Sequence, residues 1–137
     1  MIVLDSSFLI AYHNTRDVHH AAAEPTMEEI VSGKWGQAML LEYVFLEVVT
    51  VLLSRRGIAV ASNVASIILH ARELEFVPCS DLFLDAFETF RNQHDTKLSF
   101  TDSAIVTAVR RETDGVVATF DREFDRVAGI TIVPVAK

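Results

Sequence analysis

Five strand-like runs punctuate this chain, and they read as continuous apolar stretches, with little of the alternation that a half-wet strand shows. They are Ile2-Val3-Leu4, residues 35–41, Leu74-Glu75-Phe76-Val77, residues 115–119 and residues 130–135. A strand that is dry on both faces needs cover on both, and helical segments stand between successive runs to provide it. The pattern predicts an α/β fold of three layers, α/β/α, around a parallel sheet of four to five strands. Ligands of such sheets bind beyond the carboxyl ends of the strands, where the strand order reverses.

Helix signals set the remaining boundaries. Asp5, Ser6 and Ser7 supply a cap for a helix through residues 8–12. Asp17 opens a second helix over residues 18–32, closed by Gly33, and Pro25 inside it predicts a kink or a restart because proline removes a helix hydrogen bond. Residues 42–56 form a long helix ended by Gly57 in a left-handed cap. Further helices are expected over residues 58–72, 81–91 and 100–111, with a short helical turn at 121–126.

No repeat or flexible linker divides the sequence, so residues 1–137 are read as one domain. Half of the 137 residues are hydrophobic, and a chain near this length can bury about 68–70% of its unfolded surface without disulfides or structural zinc. The single cysteine, Cys79, has no intrachain partner. Met1-Ile2-Val3-Leu4 runs into Asp5 with no basic lead, and no apolar stretch reaches the ~18 residues of a membrane span. A soluble, cytoplasmic protein is expected. Twelve basic against 19 acidic residues give a formal charge of −7, which argues against a sequence-independent grip on nucleic acid through Lys and Arg. Carboxylates that hold a divalent cation reverse that argument locally.

Four acids occupy positions that solubility does not explain. Asp5 directly follows a buried strand, where it serves either as a helix cap or as a site residue. Glu47 lies in Tyr43-Val44-Phe45-Leu46-Glu47-Val48-Val49-Thr50-Val51-Leu52-Leu53. At about 100° per residue it shares a face with Tyr43, Val44, Thr50 and Val51, which predicts a poorly solvated carboxylate. Glu42 is turned about 140° away from it and suits the helix dipole as a first-turn acid. Asp102 opens the helix after Leu98-Ser99-Phe100-Thr101, and Asp121 follows the fourth strand. Capping also accounts for either of these two.

In order and spacing, Ile2-Val3-Leu4-Asp5-Ser6-Ser7, the Tyr43 to Leu52 stretch with Glu47, Leu98-Ser99-Phe100-Thr101-Asp102 and Thr119-Phe120-Asp121-Arg122-Glu123-Phe124 resemble the PIN-domain ribonucleases. The likeness is greatest to the VapC-type toxins of toxin–antitoxin pairs, and it spans nearly the whole chain. It implies that Asp5, Glu47, Asp102 and Asp121 form an acidic quartet that holds Mg²⁺ or Mn²⁺ and cleaves RNA, with a small antitoxin protein as partner and a homodimer as assembly. Pro25 departs from the family pattern. Asp17-Val18-His19-His20 looks like the family's second-helix entry, although the residues by themselves indicate only capping and packing.

The chemistry suits these residue types. Hard cations favour carboxylate oxygens and keep waters, and a cation acidifies water for attack on phosphorus while offsetting charge on the phosphate. Ser6 and Thr119 are placed to orient a carboxylate, and Lys97 and Arg122 flank the acid motifs as candidate phosphate contacts. None of the five histidines is assigned to catalysis; Arg55-Arg56 and Arg110-Arg111 read as helix-end charges, and Phe83, Leu84, Phe87 and Phe90 as core or interface. The leading function is a metal-dependent endoribonuclease, the toxin of such a pair. A housekeeping RNA-processing nuclease and an inert binding module on the same fold are the alternatives. A phosphorylatable receiver would need paired acids after the first strand, an aspartate after the third and a lysine after the last. This chain offers Asp5-Ser6-Ser7, Pro78-Cys79 and only the terminal Lys137.

Overall fold

The computed structural model describes residues 1–112 and 114–135, so Lys137 lies outside the described residues. The elements run β1 (Ile2–Leu4), α1 (Ser6–His13), α2 (His20–Val31), β2 (Ala38–Leu41), α3 (Glu42–Arg56), α4 (Ile58–His70), β3 (Leu74–Val77), α5 (Phe83–Arg91), α6 (Phe100–Arg110), β4 (Val116–Ala118), a 3₁₀ turn (Arg122–Arg126) and β5 (Thr131–Val133). All five strands are parallel, in the order β3-β2-β1-β4-β5. The α/β class and the parallel sheet expected from the apolar runs are what the structure shows. Among the described residues no helix is long and apolar enough to cross a membrane.

Ile2, Val3 and Leu4 are all fully buried. Successive strand residues point to opposite faces, so β1 is covered on both sides. The principal helix contacts join α1 to α2 and α3, and α3 to α4, while α5 packs on α6 and α6 on β1 and β4. The edges of the sheet depart from the expected dryness. In β3, Glu75 and Phe76 are exposed, and in β5 Thr131 is exposed, because an edge strand has a neighbour on one side only.

Several boundaries move inward. The strand expected over 35–41 keeps only its last four residues, those expected over 115–119 and 130–135 shrink to three residues each, and the helices expected over 18–32, 58–72 and 81–91 begin or end up to two residues inside those limits. Helix α2 runs through Pro25 without the expected restart. Proline costs it the bond that residue 25 would have donated, and the helix recovers at its far end. There Gly33, at φ +88°, donates to the Ile30 carbonyl while Lys34 donates to that of Glu29, which satisfies two carbonyls that the helix end leaves free. Gly57 has φ +86° but ψ 174°, so it is an extended hinge between α3 and α4, not the expected left-handed helical cap. The N-cap of α6 is Ser99, and Asp102 is the third residue of the helix, completing a reciprocal capping box.

Gly115, at the entry to β4, has no room for a side chain. A Cβ there meets Val109 Cγ1 and stands 2.6 Å from the Val109 carbonyl oxygen, and backbone cannot yield as a flexible side chain would. Gly115→Ala is expected to destabilise the fold by about 1–3 kcal/mol, the range for overpacking a tight site. Urea unfolding checks this, and an unchanged midpoint would show that the α6–β4 junction is looser than described.

Candidate active site

The strand order reverses at β1. Connections from β1 lead to β2 and β3 on one side, whereas β4 and β5 lie on the other. Parallel pairing sets Leu4 opposite Ala118, so the residues after both strands emerge together, and the ladder extends one step as the Asp5 amide donates to the Ala118 carbonyl at 2.9 Å. A cleft of about 490 Å³ opens there. Asp5, Glu47, Asp102 and Asp121 all line it, with Ser6, Ser7 and Ser99 among their neighbours.

Asp5 is the most constrained of the four, at 2% exposure. Its Oδ1 accepts from the Ser6 amide at 2.8 Å, and its Oδ2 accepts from Ser7 Oγ at 2.9 Å and Thr119 Oγ1 at 2.6 Å. Each hydroxyl has one proton, and both are committed to Asp5, so the 3.1 Å approach of Ser7 Oγ to Thr119 Oγ1 is a close contact without a shared hydrogen. Burial pushes the Asp5 carboxyl above its ordinary range. The Thr119, Ser7 and Ser6 donors pull it back, and the Glu47 charge adds to the rise.

The other acids follow a common plan in which one oxygen is anchored and the other has no protein donor among the described residues. Glu47 Oε1 accepts from Ser6 Oγ at 2.7 Å. Asp102 Oδ2 accepts from the Ser99 amide at 3.1 Å, while the Asp102 amide donates to Ser99 Oγ at 3.0 Å. Asp121 Oδ1 accepts from the Glu123 amide at 2.9 Å, and the Asp121 amide donates to Thr119 Oγ1 at 2.9 Å. Capping and site placement therefore coexist in the same residues. The Asp102 carboxyl is pushed up to about 6, first by burial and then by the charges of Asp5 and, last, Asp121, against the pull of the Ser99 bonds.

A PIN-domain family model matches residues 2–130. The chain belongs to the PIN-domain family. Among solved structures it is similar to VapC20 of Mycobacterium tuberculosis, described as a Sarcin-Ricin loop cleaving toxin, with a TM-score of 0.79, 23% identity, and coverage of 91% of this chain and 93% of that one. It is also similar to VapBC2 from Rickettsia felis bound to a DNA fragment from their promoter, with a TM-score of 0.67, 12% identity, and coverage of 96% and 97%. At these identities the likeness is one of fold. No curated protein matches the chain by sequence.

In this PIN domain Glu47 is not the poorly solvated carboxylate that its apolar neighbours predict. Its side chain is exposed, because α3 buries only the stripe Val44, Val48 and Leu52, and even Leu46 and Leu53 face solvent. Glu42 turns away from the cleft, where its Oε1 accepts from the Cys79 amide at 2.9 Å. Lys97 and Arg122 do not line the cleft either: the Lys97 amide donates to Glu123 Oε1 at 2.7 Å, and the Arg122 side chain pairs with Asp125 at 2.9 Å. The cation that does line it is Arg55. Glu47, Val51 and Arg55 recur every four residues and so share a face of α3, a spacing visible in the sequence. Asp17 and His19, read as capping and packing, line the cleft as well, and Asp17 Oδ1 accepts from the His19 amide at 2.8 Å.

Among the described residues no three His, Cys, Asp or Glu side chains form a ready cation cage. The donor set nevertheless fits a hard divalent cation in its chemistry. Its ligands are all oxygen, three of the acids keep an oxygen without a protein donor, and the mutual charge that raises Asp102 is the charge a cation offsets.

A raised carboxyl makes a signed prediction. With its folded value near 6 and its ordinary value at 3.8, Asp102 keeps its proton in the folded state over an interval where the unfolded chain has lost it. Its contribution to stability therefore falls as pH rises through that interval and is flat above it. In chelator, Asp102→Asn is expected to melt a few degrees above wild type at pH 7.5, with the gap closing towards pH 4. An equal or lower melting temperature at pH 7.5 would contradict the electrostatic account.

Proposed function

We propose that this PIN domain is an endoribonuclease dependent on Mg²⁺ or Mn²⁺, acting as the toxin of a toxin–antitoxin pair. One observation carries the reading: four carboxylates, drawn from the ends of β1 and β4, the start of α6 and one face of α3, line a single cleft where the strand order reverses. The fold shared with a toxin described as cleaving the Sarcin-Ricin loop supports it.

Asp5, Asp102 and Asp121 would hold the cation, assisted by Glu47. When bound, the cation supplies acidity to water and offsets charge at the phosphate. Ser7 and Thr119 hold Asp5 in place, and Ser6 holds Glu47. Glu47, solvated and anchored at one oxygen, is the carboxylate available to take the proton of the attacking water. Arg55, the one Arg or Lys among the described residues of the cleft wall, offers the phosphate a cationic side chain. As the water oxygen bonds to phosphorus, the bond to the departing ribose oxygen breaks and that oxygen takes up a proton from solvent, while Glu47 returns to solvent the one it accepted.

Leu46, Leu53, Ile58, Ile67 and Leu69 leave apolar surface exposed along α3 and α4, which suits a homodimer and an antitoxin segment laid across helical surface near the cleft.

Purified protein is expected to cleave RNA on addition of Mg²⁺ or Mn²⁺ and to stop with chelator. Asp5→Asn and Asp102→Asn should fold but lose most of the rate, and cleavage at the wild-type rate by either would remove that residue from the site. Mn²⁺ at about a hundred times its Kd should stabilise the wild type by ~2.7 kcal/mol, since the unfolded chain has no assembled site. An equal gain in Asp102→Asn would place the ion elsewhere. Sedimentation at micromolar concentration is expected to show a dimer that Leu53→Lys dissociates, and a wild-type monomer would refute the assembly.

A further inference from the structure

Phe120 carries a ring stack from the core to the rim of the cleft. Fully buried Phe8 lies against it at 6.0 Å between centroids and 23° between planes, and exposed His19 lies against it at 4.4 Å and 6°. The adjacent histidine is spent on the fold: His20 Nδ1 bonds to the Ala11 carbonyl at 2.9 Å and its Nε2 pairs with Glu24 at 3.2 Å. The His19 ring has no hydrogen bond or ion pair among the described residues. It supplies no side-chain cap to α2 either, although it occupies the cap position.

Phe120 and His19 line the same cleft as the four acids, and among the described residues they are its only aromatic walls. The remaining lining residues are carboxylates, hydroxyls, the aliphatic Ile10 and Val51, and Arg55. Without its cation, an acidic cleft with one arginine among its described lining residues gains little from phosphate attraction, so much of its hold on a nucleic acid must then come from another source. Base stacking on an aromatic side chain is that source in single-strand recognition, at about 1–3 kcal/mol per base. From this geometry, and resting on the nuclease reading above, we infer that the exposed face of the His19 ring, backed by Phe120, is the platform for one unpaired base of the RNA next to the scissile phosphate. It fixes which nucleotide sits beside the acids, and a purine, with the larger ring surface, stacks there best.

The test is a double-mutant cycle between protein and RNA. Binding of short unstructured oligoribonucleotides is followed by fluorescence anisotropy in chelator, where no cleavage intrudes, with an abasic site moved along the strand. His19→Ala is expected to weaken binding by about 5- to 150-fold, the stacking range converted to a ratio, while His19→Trp keeps affinity near wild type. One abasic position should cost the wild type a similar factor and cost His19→Ala nothing further. With metal, His19→Ala should lose the nucleotide preference and raise KM while kcat changes little. Equal abasic losses in both proteins, wild-type RNA affinity in His19→Ala, or no RNA binding by the wild type would each overturn the platform. Wild-type constants in His19→Ala are also the result expected if the ring serves the guanidinium of a protein partner. Failure of the nuclease reading is separable: the binding cycle would persist while metal-dependent cleavage sensitive to Asp5→Asn was absent.

Discussion

A carboxylate at the end of a fully buried central strand has to be compensated, and the arrangement around Asp5 depends on how this is done. Left without donors, such a group would cost several kcal/mol or take up a proton permanently. Its donors come from two places, the first turn of α1 and the residue after β4. Satisfying Asp5 thus requires β4 to lie beside β1 with its end in register, which is also what creates the cleft. Thr119 couples the two ends further, because the oxygen that donates to Asp5 accepts the amide that sets Asp121. A local electrostatic demand and the topology of the sheet are met by the same contacts.

The remaining acids are built on the same economy. Each uses one oxygen to hold a helix start or a neighbouring hydroxyl, and the other has no protein donor among the described residues. This explains why acids in these places read equally well as caps and as site residues. The strain of the arrangement is electrostatic, since Asp102 is raised by burial and by the charges of Asp5 and Asp121. A folded state that holds such a group is less stable above its pKa than the same fold without the charge, a cost that packing does not account for.

Much of the fold was legible because burial on both faces of a strand leaves a continuous apolar run. Such runs located β1, β2, β4 and β5, while the full extents of α3 and β3 followed from apolar stretches bounded by Gly57 and Pro78. Ends were less legible, since hydrogen-bond closure and caps, which depend on neighbours, decide the last residue. Of the two outcomes expected at Pro25 the restart is absent, because a lost backbone bond is a local cost that tertiary packing of α2 outweighs. Glu47 misled for the opposite reason: its apolar neighbours suggested burial, yet a surface helix can leave large apolar side chains such as Leu46 and Leu53 in solvent. Arg55 and His19 carried weak signals, a four-residue spacing and a turn entry, neither of which tells direction.

The sequence by itself determined the class of fold, the parallel sheet and the four acids worth following, because apolar runs and charges at strand ends are properties of single segments. Only the tertiary structure decided that these acids share one cleft, that Ser6, Ser7 and Thr119 hold them, and that Arg55 and His19, not Lys97 and Arg122, face the same space. Most of those facts relate residues far apart in the chain, from 41 positions for Ser6 and Glu47 to 114 for Asp5 and Thr119. Their distances are set by strand order and helix packing, which no local pattern encodes.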